Sequence, residues 1–130
     1  AAPRLLFKQP VTLLARQHYV FSEEKERQFV DLVFLDPGAD ELILVELKRG
    51  KITREHCNQI RRYLDNAHKS RLLRGFLEKG TGMRGILATV EACDYRPEDP
   101  DVSVRIVDRG RTIAVLKQLR ERRAYTGGPE

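Results

Sequence analysis

The sequence predicts an α/β domain with a small mixed β-sheet of about four or five strands, flanked by helices. Short runs rich in Val, Ile, Leu and Phe alternate with turns that contain Gly or Pro, which is typical of strands. A long stretch between two such runs has apolar residues at helical spacing. The chain of 130 residues is 41% hydrophobic, which is enough for one buried core.

The first half of the chain predicts one helix and three strands. Pro10 suits the first turn of a helix, and the turn at 36–40, which contains Pro and Gly, predicts an antiparallel hairpin between the strands on either side. The predicted elements are, in order, a loose lead-in over 1–9, a helix over 11–17, a strand over 19–21, a polar turn over 22–26, and strands over 29–35 and 42–48.

The second half predicts two further strands between helices. Thr53 is a suitable N-cap for a helix. The predicted elements are a helix from 54 to about 69, helical spacing over 72–77, a buried strand over 85–90, an acidic loop over 91–101, a half-buried strand over 102–106, a helix over 112–123 and a loose tail over 126–130. The predicted order is therefore α-β-β-β-α-β-β-α in a single domain over 1–130.

The net charge of +5 is unevenly distributed. Residues 48–85 carry eleven Lys and Arg against three Asp and Glu, whereas residues 36–47 carry four acids and no base. Such a basic block attracts phosphate groups, although a solvated helix face gives the same pattern. No apolar run reaches the roughly 18 residues of a membrane span, which excludes a spanning protein.

Several features bear on the setting of the protein. Two cysteines cannot form the disulfide framework of a small secreted domain, and no signal peptide is recognisable, so we expect a cytoplasmic protein. The chain begins at Ala1 and its only methionine is Met83, so we expect a fragment of a longer protein with further domains. The edge strands of such a small sheet are compatible with a homodimer.

Three charged residues interrupt the apolar strands. Asp31 lies in the middle of one strand, and Glu46 and Lys48 close the next and project to the same face. Ionised groups among apolar neighbours are unfavourable unless they are paired or bound to a cation. A salt bridge of Lys48 with either carboxylate would explain them, and so would an exposed face.

A divalent metal explains all three charged residues together. Two carboxylates on adjacent strands of a hairpin converge, and the backbone carbonyl of Leu47 could add a ligand. Such oxygen ligands suit Mg²⁺ or Mn²⁺, which activates a water and neutralises phosphate. Lys48 would lie beside this water.

The pattern Asp31-x14-Glu46-Leu47-Lys48 resembles the signature of the PD-(D/E)XK nuclease superfamily. Gln59 and Tyr63 spell Q-x-x-x-Y on one helix face, which resembles the motif of RecB-type nucleases. Together with residues 45–50 and 84–88, they are most similar to the nuclease domain of NucS/EndoMS proteins, over roughly residues 28–90. The resemblance implies a core like that of restriction endonucleases.

The resemblance also implies roles for individual residues. Asp31, Glu46, Lys48 and Gln59 would form the catalytic and metal centre, and Tyr63 would touch the substrate backbone or brace the helix. Many members add a glutamate from the first helix. The helix predicted over 11–17 has no acid, so Glu23, Glu24 or Glu26 would have to substitute, and Glu24 is the one we choose.

Basic residues near this centre predict a nucleic-acid surface. They would grip the backbone of DNA without reading its sequence. His56 precedes Gln59 by three residues and would contact phosphate, lie near the metal or be an ordinary half-exposed helix residue. The basic residues concerned are Arg49, Lys51, Arg54, Arg61 and Arg62.

The resemblance implies a metal-dependent DNA endonuclease that hydrolyses phosphodiester bonds with a metal-activated water, in prokaryotic DNA repair, restriction or phage defence. One alternative is a catalytically inactive module with the same fold that binds nucleic acid or serves assembly. Another is that the polar cluster is only a structural salt bridge.

Overall fold

A computed structural model describes residues 6–108 and residue 110 of the chain. These residues form a mixed five-stranded sheet with two α-helices and a short 3₁₀ helix, which confirms the predicted α/β class. The helix predicted over 112–123 and the tail over 126–130 lie outside the described residues. The elements are β1 (Thr12–Glu23), β2 (Glu26–Asp36), β3 (Glu41–Lys48), α1 (Arg54–Asp65), the 3₁₀ helix (Ala67–Lys69), α2 (Arg71–Glu78), β4 (Gly82–Thr89) and β5 (Val102–Ile106).

The strands lie in the sheet in chain order, from β1 to β5. β1 and β2 form a long antiparallel hairpin, and β2 is antiparallel to β3. β3 and β4 are parallel, because the helical segment between them returns the chain to the same end of the sheet. β5 is parallel to β4. The carboxyl ends of β3 and β4 therefore lie side by side.

The core lies on both faces of β3, which explains its nearly continuous apolar sequence. On one face, Leu42 and Leu44 pack with Ile60 and Leu64 of α1. On the other face, Ile43 and Val45 pack in a second cluster with residues of β2, β4 and the N-terminal segment. Glu46 and Lys48 continue the first set by strand alternation, so their side chains lie on the face that carries α1.

Helix α1 begins where the sequence predicts it. The Thr53 side chain accepts a hydrogen bond from the His56 N–H, and His56 Nδ1 accepts one from the Thr53 N–H, which is a reciprocal cap. The helix then crosses β4 closely: a Cβ placed on Gly85 would lie 2.8 Å from Cδ1 of Ile60. A glycine at this crossing allows α1 to pack closely on β4, beside Leu44 of β3.

The helix predicted over 11–17 is wrong, because residues 12–17 belong to β1. Residues 13 and 14 are both apolar and fit a helix or a strand equally well from the sequence alone. Pairing with the apolar strand β2 selects the strand over the helix. The register between β1 and β2 is irregular at two points, which allows the two strands to pair along their length. The helix predicted from 54 to about 69 ends earlier as an α-helix, because α1 ends at Asp65 and a 3₁₀ helix covers Ala67–Lys69. The helical spacing predicted over 72–77 belongs to α2, which begins after Ser70, whose side chain accepts from the Leu73 N–H.

The lead-in predicted to be loose is held to the sheet over residues 7–9. Phe7 is buried and its ring meets the ring of Phe34 at 5.1 Å. Gln9 donates a hydrogen bond to Asp36 at 3.0 Å. No helix among the described residues has the length and apolar character needed to cross a membrane.

Candidate functional site

Asp31 and Glu46 face each other where the ladder between β2 and β3 ends. The last paired residues are Leu32 and Val45, so the same register sets Asp31 opposite Glu46. Glu46 Oε1 accepts from the Asp31 N–H at 2.8 Å, and Asp31 Oδ2 accepts from the Leu47 N–H at 2.7 Å. Beyond the last backbone pair, these two hydrogen bonds to carboxylates connect β2 and β3. They also hold the two carboxylates near each other in the gap between the strands.

Lys48 connects this pair to helix α1. Its Nζ lies 3.7 Å from Glu46 Oε2 and donates a hydrogen bond to Gln59 Oε1 at 3.0 Å. Gln59 Nε2 donates in turn to the Tyr63 hydroxyl at 3.3 Å. The spacing of four residues sets Gln59 and Tyr63 on one helix face, as the sequence predicts. The structure therefore brings Asp31, Glu46, Lys48, Gln59 and Tyr63 into one polar network.

Glu46 is the most perturbed carboxyl of this network. It is 5% exposed, and burial, together with the nearby charge of Asp31, raises its pKa to about 7. The Asp31 N–H and Lys48 act in the opposite direction and do not offset the burial. A buried carboxylate beside a second carboxylate is an electrostatic arrangement that a cation would stabilise.

Tyr63 braces the helix rather than offering its side chain to a ligand. It is 3% exposed, and its ring packs edge-on against Phe21 with centroids 6.3 Å apart. Burial, and then the charges of Glu46 and Asp31, raise its pKa to about 12, so the hydroxyl stays protonated. Of the two roles implied by the resemblance, this geometry supports the brace and not the contact with a substrate backbone.

The basic residues predicted to bind nucleic acid divide into two groups. Arg49, Lys51 and Arg54 are exposed and follow directly after β3, next to Lys48. Arg61 is engaged differently, because its Nη1 donates to Asp99 and Asp101 at about 3.0 Å and so holds the acidic loop against α1. Arg62 is exposed and lies 3.9 Å from a carboxylate oxygen of Glu23.

His56 has a structural contact that explains its position. Its Nδ1 accepts from the Thr53 N–H at 3.1 Å within the cap of α1. Partial burial, and then the charge of Lys48, lower its pKa, so the ring is neutral at pH 7 and is not a fixed positive charge for phosphate. The ordinary helix interpretation fits this residue better than a phosphate contact does.

Glu24 does not join the network. It lies in the turn between β1 and β2 with a positive φ of 51°. Asp31 lies five positions along β2 from Glu26, so about 16 Å of extended strand separates it from the turn. Glu24 is predicted as a substitute because the helix predicted over 11–17 has no acid, but residues 12–23 form a strand that carries Glu24 to the far end of the hairpin.

The donors near the gap fit a hard divalent cation. Asp31 and Glu46 supply carboxylate oxygens, and the Leu47 carbonyl faces β2 because the N–H of the same residue does. Among the described residues, no group of three or more His, Cys, Asp or Glu side chains could hold a metal ion. Two carboxylates suffice for Mg²⁺, which commonly keeps several waters and takes further ligands from a substrate phosphate.

Sequence reasoning missed Gln17, which lies on β1 opposite Asp31. Its Nε2 donates to Asp31 Oδ1 at 2.9 Å, and its backbone has a positive φ of 47°. The predicted helix over 11–17 hid this neighbour. The turn does not supply this alignment by itself, because counting back from Glu23 opposite Glu26 sets residue 18 opposite Asp31, and only the register irregularity between Tyr19 and Phe21 brings Gln17 there.

Comparisons of the chain with protein-family models, curated proteins and solved structures found no match. Membership in the PD-(D/E)XK superfamily therefore stays a prediction from the motifs and the geometry around them.

Proposed function

We propose that this chain is the catalytic domain of a DNA endonuclease that hydrolyses phosphodiester bonds with Mg²⁺ or Mn²⁺. The observation that carries the proposal is the tied pair of Asp31 and Glu46 with the Lys48 ammonium 3.7 Å from Glu46. An acid pair with an adjacent lysine is suited to phosphoryl chemistry. Its setting would be prokaryotic DNA repair, restriction or phage defence.

Each residue of the network has a task in this proposal. Asp31, Glu46 and the Leu47 carbonyl would hold the cation. When bound, the cation neutralises charge on the phosphate and makes water a stronger nucleophile. Lys48 orients the attacking water and stabilises the negative charge that develops on the phosphoryl group. Gln59 fixes the Lys48 ammonium, and Tyr63 fixes Gln59.

The exposed basic residues after β3 would hold the DNA backbone. Arg49, Lys51 and Arg54 lie close in sequence to Lys48, so they would meet the phosphates that flank the reacting one. Contacts of this kind fix the position of a strand and carry no sequence information.

A second candidate is a non-catalytic module that binds nucleic acid. It is favoured by the hydrogen bonds that already occupy the carboxylates, since Asp31 accepts from Gln17 and from Leu47. In this case Lys48 only neutralises Glu46, and binding to DNA would not depend on a divalent cation.

The test is incubation with single-stranded, duplex and mismatched DNA in the presence of Mg²⁺, Mn²⁺ or a chelator. We expect cleavage of at least one substrate with a metal and none with the chelator. The Glu46→Ala variant should lose cleavage by orders of magnitude.

Glu41→Ala is the matched control, because Glu41 lies at the opposite end of β3 and pairs with Arg84 at 3.4 Å. It should retain activity. DNA binding that is indifferent to metal, without cleavage of any substrate, would favour the non-catalytic module.

A further inference from the structure

Gln17 adopts a backbone conformation that its side chain does not favour. The residues on either side pair regularly with β2, Arg16 with Leu32 and His18 with Val30, so Gln17 lies opposite Asp31. Its φ of 47° is in the left-handed region, which residues other than glycine rarely occupy. Gln17 is exposed, so core packing does not impose this conformation.

The strained residue makes one specific contact. Gln17 Nε2 donates to Asp31 Oδ1 at 2.9 Å, while the Leu47 N–H donates to Asp31 Oδ2 at 2.7 Å. Both oxygens of the carboxylate are thus held, one from each neighbouring strand. The Asp31 carboxylate cannot rotate without losing one of these bonds.

The chain contains a similar pair that lies away from the network. Gln9 Nε2 donates to Asp36 Oδ2 at 3.0 Å at the other end of β2. Gln9 is not among the residues with positive φ. A glutamine amide therefore hydrogen-bonds to a carboxylate of β2 in both places. Gln9 reaches Asp36 without a strained backbone, whereas Gln17 reaches Asp31, next to Glu46, with one.

We propose that Gln17 is a positioning residue that fixes the Asp31 carboxylate for a divalent cation shared with Glu46. The inference rests on the proposed function. Hydrogen-bond partners behind a metal ligand set its orientation, and their loss typically weakens metal binding roughly 10- to 100-fold. Backbone strain is concentrated at functional sites, and the strained Gln17 makes its side-chain hydrogen bond to such a ligand.

The test is the affinity for Mn²⁺ alone, measured by isothermal titration calorimetry without DNA. We expect Gln17→Ala to bind Mn²⁺ at least roughly tenfold more weakly than the wild type. Gln17→Gly removes the amide and accepts a positive φ without strain, and it should bind as weakly as Gln17→Ala. Gln9→Ala, the matched control, should bind as the wild type does.

Three results would overturn the inference while leaving the proposed function intact. Gln17→Ala could bind Mn²⁺ with unchanged affinity, Gln17→Gly could bind normally, or Gln9→Ala could be weakened to the same degree. A wild-type protein that neither binds Mn²⁺ nor cleaves DNA would overturn both the inference and the proposed function.

Discussion

Glu46 makes the stability of the fold depend on pH. Its pKa is about 7 in the folded protein, against an ordinary value of 4.5, and the main cause is burial. Between these two values the folded state binds a proton that the unfolded state has released, so the free energy of unfolding falls as the pH rises through this window. Above pH 7 the full penalty applies, about 3 kcal/mol as an order of magnitude.

Glu46→Gln should remove this dependence. Glutamine keeps an oxygen for the Asp31 N–H but carries no charge. In chelator, we expect the wild type to lose up to about 3 kcal/mol relative to Glu46→Gln between pH 4.5 and 7.5. Urea unfolding at a series of pH values measures the difference, and parallel pH curves for the two proteins would contradict it.

Asp36 provides a control for this experiment, because its pKa is shifted in the opposite direction to that of Glu46. Hydrogen bonds from the Ala39 N–H and the Gln9 amide lower its pKa. Such a carboxylate contributes stability above its unfolded pKa, and the contribution is lost as the pH falls through the folded value. Asp36→Asn should therefore be less stable than the wild type at neutral pH and approach it in acid.

Helix α1 contributes Gln59 and Tyr63 to the polar network. Its distance from β4 is set at Gly85. A Cβ at this position would lie 2.8 Å from Cδ1 and 3.1 Å from Cγ1 of the fully buried Ile60. Either the buried Ile60 side chain or the helix itself must shift to make room, and a shift of the helix would carry Gln59 away from Lys48.

Gly85→Ala should therefore destabilise the fold by about 1 to 3 kcal/mol through overpacking. It should also reduce cleavage under conditions where the variant stays folded. Gly75→Ala is the matched substitution, because a Cβ at Gly75 in α2 meets no atom of the described residues within 4 Å. That variant should gain up to about 1 kcal/mol from helix propensity. Urea unfolding of both variants checks the prediction, and equal effects would contradict it.

The elements that the sequence predicts correctly are those with strong local signals. β3 is an apolar run between turns, and α1 starts at a recognisable cap on Thr53. β1 could not be predicted in full, because its strand state depends on pairing with β2 and its apolar residues do not alternate. The division of the second helical segment was signalled by Ser70, which caps α2.

Over the whole molecule, the predicted basic surface is smaller than the sequence suggests. The acidic loop folds back onto α1, where Asp99 and Asp101 engage Arg61. A sequence does not show that residues some forty positions apart neutralise one another. The polar network, by contrast, follows from local spacings: Lys48 is two positions after Glu46, and Tyr63 is four positions after Gln59. The hairpin register adds Asp31.

The salt dependence of DNA binding tests this division of charges. Replacing Arg49, Lys51 and Arg54 together by alanine should lower the slope of log K against log salt by about 2 to 3, since each lost phosphate contact contributes about 0.7 to 0.9. Arg61→Ala should leave the slope nearly unchanged and lower the free energy of unfolding instead. Fluorescence anisotropy in chelator gives the slopes, and an equal fall per residue at Arg61 would contradict the prediction.

The most direct test of a hydrolytic centre at residues 31, 46 and 48 is single-turnover cleavage by Lys48→Ala with saturating Mn²⁺, using the DNA that the wild type cuts best. Lys79→Ala, an exposed lysine at the far end of the sheet, is the control. We expect Lys48→Ala to fold and bind DNA but to cleave at least 100-fold more slowly, about 3 kcal/mol in the barrier. We expect Lys79→Ala to cleave like the wild type. Full activity of Lys48→Ala would contradict the proposed centre.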